Sequence, residues 1–238
     1  QGEGMALRKG EPALELRLLG AALARAPGGA ALAQIGAKGM AVLAFLALQP
    51  GRTATRDVLV DLLWSHGSPD QGRASLRQEL RRMKRAMGAV FDAALETPGG
   101  QIALRPGAVV TDVERVEAAC DARDTAGLSA LLDCYGGPFL APLSVPEIAF
   151  QDWVAGRNSH LEARVLDAFL RLMLLDESAG RLDRAAAAAR ALLAIDPLQE
   201  DVHAALVRIH VAAGRVDQAR RQAAACVALF EEELGEPP

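Results

Sequence analysis

Gln71-Gly72-Arg73-Ala74-Ser75-Leu76-Arg77-Gln78-Glu79-Leu80-Arg81-Arg82-Met83-Lys84-Arg85-Ala86-Met87 is the stretch that decides the reading of this 238-residue chain. Ser68-Pro69-Asp70 opens it as a helix, with proline in the first turn, and Gly88 closes it. At about 100° per residue, Leu76, Leu80, Met83 and Met87 share one direction and form the expected buried stripe. Gln78 and Arg85 point almost directly away from it, flanked by Arg81, Arg82 and, further round, Arg77. Ala74 lies on the same outward face and Glu79 off to one side. A charged run on a helix is most often a solvated face. Solvated helices, however, mix signs to gain i,i+4 pairs, and this face is nearly pure arginine. Guanidinium forks fit phosphates and the guanine O6/N7 edge, and a glutamine amide fits the adenine N6/N7 edge. A small Ala74 lets the start of the helix approach a groove wall.

Working outward, Leu14 to Leu19 alternates apolar and polar and reads as a strand. A second short strand over Ala21 to Arg25 follows, with a turn at Pro27-Gly28-Gly29. Met40 to Leu48 is almost wholly apolar and is closed by Pro50-Gly51, as expected of a buried central helix. Thr55 is the expected N-cap of a second helix that runs to Trp64 with Val58, Leu59, Leu62 and Leu63 facing inward. Beyond Gly88, residues 95–97, Pro98-Gly99-Gly100 and residues 101–105 form strand, tight turn and strand. Three helices, the last exposed and basic, followed by a Gly-Gly-tipped hairpin, are the layout of a winged helix. In that layout the third helix enters the major groove and the hairpin lies against the backbone or minor groove.

The second half reads as helical throughout and repeats itself. Ala179-Gly180-Arg181-Leu182-Asp183-Arg184-Ala185 returns 34 residues later as Ala213-Gly214-Arg215-Val216-Asp217-Gln218-Ala219, the tetratricopeptide (TPR) period of helix, turn and helix. Asp196-Pro197 separates the units. The net charge of −4, taken alone, argues against nucleic acid, but the average conceals a division. Residues 1–110 hold 14 Lys+Arg against 9 Asp+Glu, a net +5, and residues 111–238 hold 12 against 21, a net −9. A basic half precedes an acidic one that is suited to face protein.

No catalytic signature interrupts this picture. The chain has no GxSxG, no Gly-rich phosphate loop and no HExxH, so no catalytic residue, cofactor or metal is expected. His203 and His210, seven apart on one helix, read as packing or surface residues, and Trp64 and Trp153 as core anchors. Cys120, Cys134 and Cys226 form no CxxC and read as reduced thiols of a cytoplasmic protein. With 51% hydrophobic residues there is material for a packed core, yet no run of 18 or more apolar residues to span a membrane. Nothing in the opening residues, from Gln1 past Met5, reads as a signal peptide, because charges interrupt Ala6 to Leu19.

Taken in order, several stretches resemble the antibiotic regulatory protein (SARP) class of bacterial transcriptional activators. In the first half they are Leu18-Leu19-Gly20, Leu59-Val60-Asp61-Leu62-Leu63-Trp64, the arginine helix and Pro98-Gly99-Gly100. In the second they are Tyr135-Gly136-Gly137-Pro138-Phe139-Leu140, Trp153, Asp196-Pro197-Leu198-Gln199-Glu200 and Glu233-Leu234-Gly235-Glu236-Pro237. The resemblance implies a mainly α fold with small β elements: an OmpR/PhoB-type winged helix-turn-helix over residues 12–108, then an all-α, TPR-like bacterial transcriptional activation domain over residues 110–238. It implies sequence-specific binding of double-stranded promoter DNA, recruitment of RNA polymerase subunits and a homodimer, at least on DNA. Carried over residue by residue, Arg73, Arg77, Gln78, Arg81, Arg82 and Arg85 become the helix contacts. Thr55 and Arg56 lie near phosphates, and Thr97, Gly99 and Gly100 form the wing. The aromatic that commonly follows the Gly-Gly is Gln101 here. Members of the class often continue past the counterpart of Leu234-Gly235. The competing reading is a TPR-type protein interaction module in which the winged helix serves only as a docking surface.

Overall fold

The computed structural model describes residues 12–235. The opening stretch up to residue 11 and the closing Glu236-Pro237 therefore lie outside the described residues. Two compact units are formed. The first, residues 12–114 and 136–158, holds strands Leu14–Arg17 (β1) and Leu23–Arg25 (β2), helix Ala37–Leu48 (α1) and strand Thr53–Thr55 (β3). Helices Arg56–Leu63 (α2), Pro69–Met87 (α3) and Ala89–Ala94 (α4) follow, then strands Leu95–Glu96 (β4), Gln101–Leu104 (β5) and Val109–Thr111 (β6). Helix Asp112–Asp121 (α5) leads into the second unit, residues 115–135 and 159–235, with short helices Thr125–Ser129 (α6) and Leu131–Cys134 (α7). Helix Ile148–Ser178 (α8) starts in the first unit and continues in the second. Leu182–Ile195 (α9), Glu200–Ala212 (α10) and Val216–Leu234 (α11) complete the chain order. Among the described residues the protein is mainly helical with two small sheets, ordered β2-β1-β6 and β3-β5-β4.

In the first sheet β1 is central. It pairs antiparallel with β2 through Leu16 and Ala24, and parallel with β6 through Leu14 and Val109. Leu14 and Leu16 are fully buried while Arg17 is exposed, the alternation expected of a strand with one covered face. The chain just past β1 is held by Asp112, whose carboxylate accepts hydrogen bonds from the backbone N–H groups of Leu18 (2.8 Å) and Leu19 (3.0 Å). Burial pushes the Asp112 carboxyl up from its ordinary range even against those bonds.

α1 carries almost nothing but apolar side chains and is buried nearly all round, with Val42, Leu43 and Leu46 sealed from solvent. α3 crosses it closely at Gly39, where a Cβ would stand 3.0 Å from both Glu79 Oε1 and Met83 Cγ. The inward face of α2 differs from the expected one: Val58 is 45% exposed, and Val60, 5% exposed, takes its place beside Leu59, Leu62 and Leu63. The cause is α3. Gly72 leaves a gap that Val60 fills, since a Cβ there would lie 2.4 Å from Val60 Cγ1. Two further elements escape periodicity because they are so short: β3, which pairs with β5 through Ala54 and Ile102, and α4.

The second half is not helical throughout. Residues 135–147 are irregular, because Pro138, Pro142 and Pro146 donate no backbone N–H and Gly136 and Gly137 break any run. From Gly136 onward this segment belongs to the first unit. Gly136 lies against Gly20, with a Cβ on either colliding with backbone (2.5 Å from Gly136 O and 2.7 Å from Leu19 O), and Gly20 N donates to Pro138 O at 2.9 Å. Trp153 then joins Phe45, Phe139 and Phe150, at centroid distances of 5.2, 5.5 and 5.6 Å.

Within the second unit the 34-residue repeat has a structural counterpart. Gly180 and Gly214 both adopt left-handed backbone, at φ 71° and 72°. Arg181 N donates to Asp176 O and Arg215 N to His210 O, each at 2.8 Å, which is one helix-ending geometry used twice. His203 and His210 are both buried. Gln222 Nε2 lies 2.7 Å from His203 Nδ1, and burial pulls the His210 imidazole below its ordinary pKa. Cys120 and Cys226 are buried thiols, Cys120 pushed up to about 11 chiefly by burial.

Candidate nucleic-acid interface

α3 is well specified by its own ends. Ser68 Oγ accepts from Gln71 N while Gln71 Oε1 accepts from Ser68 N, a reciprocal capping box, and Pro69 occupies the first turn. Asp70 near its start and Lys84 and Arg85 in its last turn complement the helix dipole. Leu76, Met83 and Met87 are buried and Leu80 half-buried. Glu79 is buried rather than standing to one side. Its carboxylate is 3.7 Å from Arg82 and lies against Gly39 in the first turn of α1. That helix start has no side-chain cap of its own, so the anion also opposes the positive end of the dipole.

The six polar side chains predicted on α3 all reach solvent, but they divide into three groups. Arg73 is tethered: its Nε donates to Asp57 Oδ1 of α2 at 3.0 Å and its Nη1 is 3.6 Å from Asp70. Gln78 and Arg82 line one wall of a cleft of about 650 Å³ whose other wall includes Gly36, Lys38 and Trp64. Arg77, Arg81 and Arg85 stand on the open side, and among the described residues none of them pairs with a carboxylate. An arginine without a partner keeps its donor fork free for an external acceptor. Arg85 Nε donates to Arg81 O at 3.4 Å, and the rest of the trio's donors face solvent.

The remaining predicted residues flank this helix in sequence. Thr55 caps α2, its Oγ1 accepting from Val58 N at 3.3 Å, and Arg56 begins that helix, half-buried. The hairpin β4–β5 carries Thr97, Gly99 and Gly100 at its exposed tip, where Gly99 (φ 53°) and Gly100 (φ 86°) take left-handed backbone. Gln101 opens β5 and accepts from Thr53 Oγ1 at 3.2 Å, tying the base of the tip to β3.

One supporting group was not anticipated from the sequence. Glu147, only 4% exposed, accepts from Lys38 Nζ at 3.0 Å and from Ser65 N and Oγ at 3.2 and 2.9 Å, with His66 Nε2 3.6 Å away. Lys38 also donates to Leu63 O and sits 4.9 Å above the Trp64 ring. The turn between α2 and α3 is thereby fastened from both sides by one buried carboxylate. Burial pushes the Glu147 carboxyl up, but hydrogen bonds from Lys38 and Ser65, together with the Lys38 charge, outweigh it and hold it below the usual range. Nothing local marks Glu147, since its partners lie 109 and 82 positions away.

Among the described residues no group of three or more His, Cys, Asp or Glu could hold a metal, and no helix is long and apolar enough to cross a membrane. Residues 105–238 match the model of the bacterial transcriptional activator domain. The chain belongs to the bacterial transcriptional activator domain family. That family is one of transcriptional regulators rather than enzymes, and the resemblance to SARP-class regulators carrying this domain is borne out. The chain is similar to the regulatory protein AfsR of Streptomyces griseus, 28% identical over 211 residues, which cover 83% of this chain and 20% of AfsR. Its fold is similar to that of Mycobacterium tuberculosis EmbR, solved in complex with a low-affinity phosphopeptide. The TM-score is 0.65 at 22% identity, covering 96% of this chain and 62% of the EmbR chain. This bacterial transcriptional activator domain protein thus spans about a fifth of AfsR's length.

Proposed function

We propose that the protein is a sequence-specific DNA-binding transcriptional regulator, an activator, whose helix α3 reads the major groove of promoter DNA. Residues 12–108 act as an OmpR/PhoB-type winged helix with β4–β5 as the wing, and residues 110–238 as the TPR-like activation domain that recruits RNA polymerase. Two copies act together on DNA. The observation that carries this reading is the open face of α3, where Arg77, Arg81 and Arg85 share exposure and have no carboxylate partner among the described residues. Gln78 and Arg82 extend the contact along the cleft beside α1. Thr55 and Arg56 meet phosphates at the start of α2, and Thr97, Gly99 and Gly100 meet the backbone or minor groove. Arg73, already engaged with Asp57, positions the start of α3 and adds a weaker phosphate contact.

The test is selection from a random duplex pool by the whole chain, followed by footprinting of the enriched sequence. The expected result is a defined motif protected in the major groove, with affinity that falls steeply with salt because each neutralised phosphate releases counterions. Absence of enrichment refutes the reading and leaves the interaction-module alternative.

A further inference from the structure

The cleft beside α3 carries more chemistry than contact with DNA uses. Its volume of about 650 Å³ lies within the range of small-molecule sites, about 300–1,000 Å³. Every residue that lines it belongs to the first unit. Ile35, Trp64, Met83 and Pro146 give it apolar walls, and Glu79 and Arg82 meet there as opposite charges 3.7 Å apart. Glu79 is the unusual member. It is only 8% exposed, yet its carboxylate accepts no hydrogen bond among the described residues, because Arg82 stands beyond hydrogen-bonding distance. Buried acceptors are almost always bonded, so this carboxylate has a capacity that a guest in the cleft can fill. Lys38 does not fill it, since its Nζ is held by Glu147 and Leu63 O.

Charge selects the guest. An anion such as phosphate gains Arg82 and the start of α1, which no side chain caps, but it meets Glu79. A cation gains Glu79 but meets Arg82, Lys38 and the positive end of the α1 dipole. A zwitterion satisfies both sides, with its ammonium on Glu79 and its carboxylate on Arg82 and the first N–H groups of α1. In an α-amino acid the two charges flank one carbon, a spacing that suits a carboxylate and a guanidinium 3.7 Å apart. The apolar walls then take an aliphatic or aromatic side chain. From this combination we propose that the cleft binds a free α-amino acid with an apolar side chain, and that the occupant withholds Gln78 and Arg82 from DNA. The site stands on its own geometry, whereas the antagonism rests on the DNA reading above.

The test is isothermal titration calorimetry of the whole chain, free of DNA, with L-leucine, L-phenylalanine and L-tryptophan. Each is run beside its analogue without the ammonium and its analogue without the carboxylate, which for phenylalanine are 3-phenylpropionate and phenethylamine. At least one amino acid should bind one to one, and both of its single-charge analogues roughly tenfold more weakly or worse. Glu79→Gln should weaken amino-acid binding roughly tenfold and erase the preference over the analogue without the ammonium. Arg82→Gln should erase the preference over the analogue without the carboxylate. A general loosening of α3 does not produce these opposite changes in selectivity. Ser144→Trp, at an exposed position on the cleft wall, should block binding and keeps the site testable if Glu79→Gln does not fold. No saturable binding by any of the three, equal binding of amino acid and analogues, or binding untouched by Ser144→Trp overturns the site. With the selected duplex added, saturating amino acid should weaken DNA binding by about fivefold or more, and the duplex should weaken amino-acid binding by the same factor. Independent binding of the two overturns the antagonism. A chain that binds the duplex but no amino acid refutes the cleft and spares the DNA reading, and one that binds the amino acid with the expected selectivity but no DNA does the opposite.

Discussion

Replacing Arg77, Arg81 and Arg85 together by alanine is the sharpest perturbation of the proposed interface. All three are exposed and have no carboxylate partner among the described residues, so their loss removes no internal ion pair. Surface changes of this kind shift stability by no more than about 0.5 kcal/mol each, and the thermal unfolding midpoint should stay close to that of the wild type. DNA affinity should not. A side chain that reads a base is worth about 1–3 kcal/mol, so a floor of about 1 kcal/mol for each of three arginines predicts a loss of about 3 kcal/mol, more than a hundredfold in Kd. If instead each touches only phosphate, three fewer released counterions make the slope of log K against log salt shallower by about 2.7. Fluorescence anisotropy with the selected duplex at several salt concentrations separates the two outcomes. In the first, discrimination against mismatched sites collapses; in the second, binding weakens alike on all sequences. Unchanged affinity together with an unchanged salt slope would refute the assignment of this face to DNA.

Arg73→Ala, by contrast, removes a side chain already bound to Asp57, and its effect on DNA affinity should be smaller than that of Arg81→Ala in the same titration. Glu147→Gln should cost about 1–3 kcal/mol, seen as a lower unfolding midpoint at neutral pH, because Lys38 and Ser65 lose a buried charged acceptor. A carboxyl held low in the folded state contributes stability that is complete above its unfolded pKa, about 4.3, and is lost as the pH falls through the lower folded value. Acidification below about pH 4 should therefore narrow the gap between wild type and Glu147→Gln, and a gap that widens there contradicts the placement. Gly72→Ala should destabilise by about 1–3 kcal/mol, since its Cβ meets the branched Val60 side chain at 2.4 Å. Gly136→Ala should be at least as damaging, because the obstacle is Leu19 backbone, and a calorimetric midpoint equal to wild type would show that the two segments are not in contact.

Much of the arginine helix was legible because its determinants are local. Ser68, Pro69 and Gly88 mark its ends, and the four-three-four spacing of Leu76, Leu80, Met83 and Met87 defines its inner face. The same holds for the Pro98-Gly99-Gly100 turn and for the 34-residue return of Gly180 at Gly214, where left-handed backbone is a property of the glycine itself. Val58 was misread because a helix of eight residues is too short for periodicity to choose a face once α3 contributes a glycine gap. Glu79 was misread because an acidic residue among arginines looks solvated, whereas the start of α1 gives it a partner.

By itself, then, the sequence determined the helices α1 to α3, the Gly-Gly hairpin turn, the arginine face and the repeat, all of which arise from interactions within a few residues. Only the tertiary structure decided that β6 lies parallel to β1, that residues 136–158 return to the first unit, and that Glu147 fastens the turn before α3. It alone divided the arginines into tethered, cleft-lining and open groups. The reason is common to all of these. Each depends on which distant surface arrives, and burial, charge pairing and close backbone approach are properties of pairs of surfaces that no single stretch of residues contains.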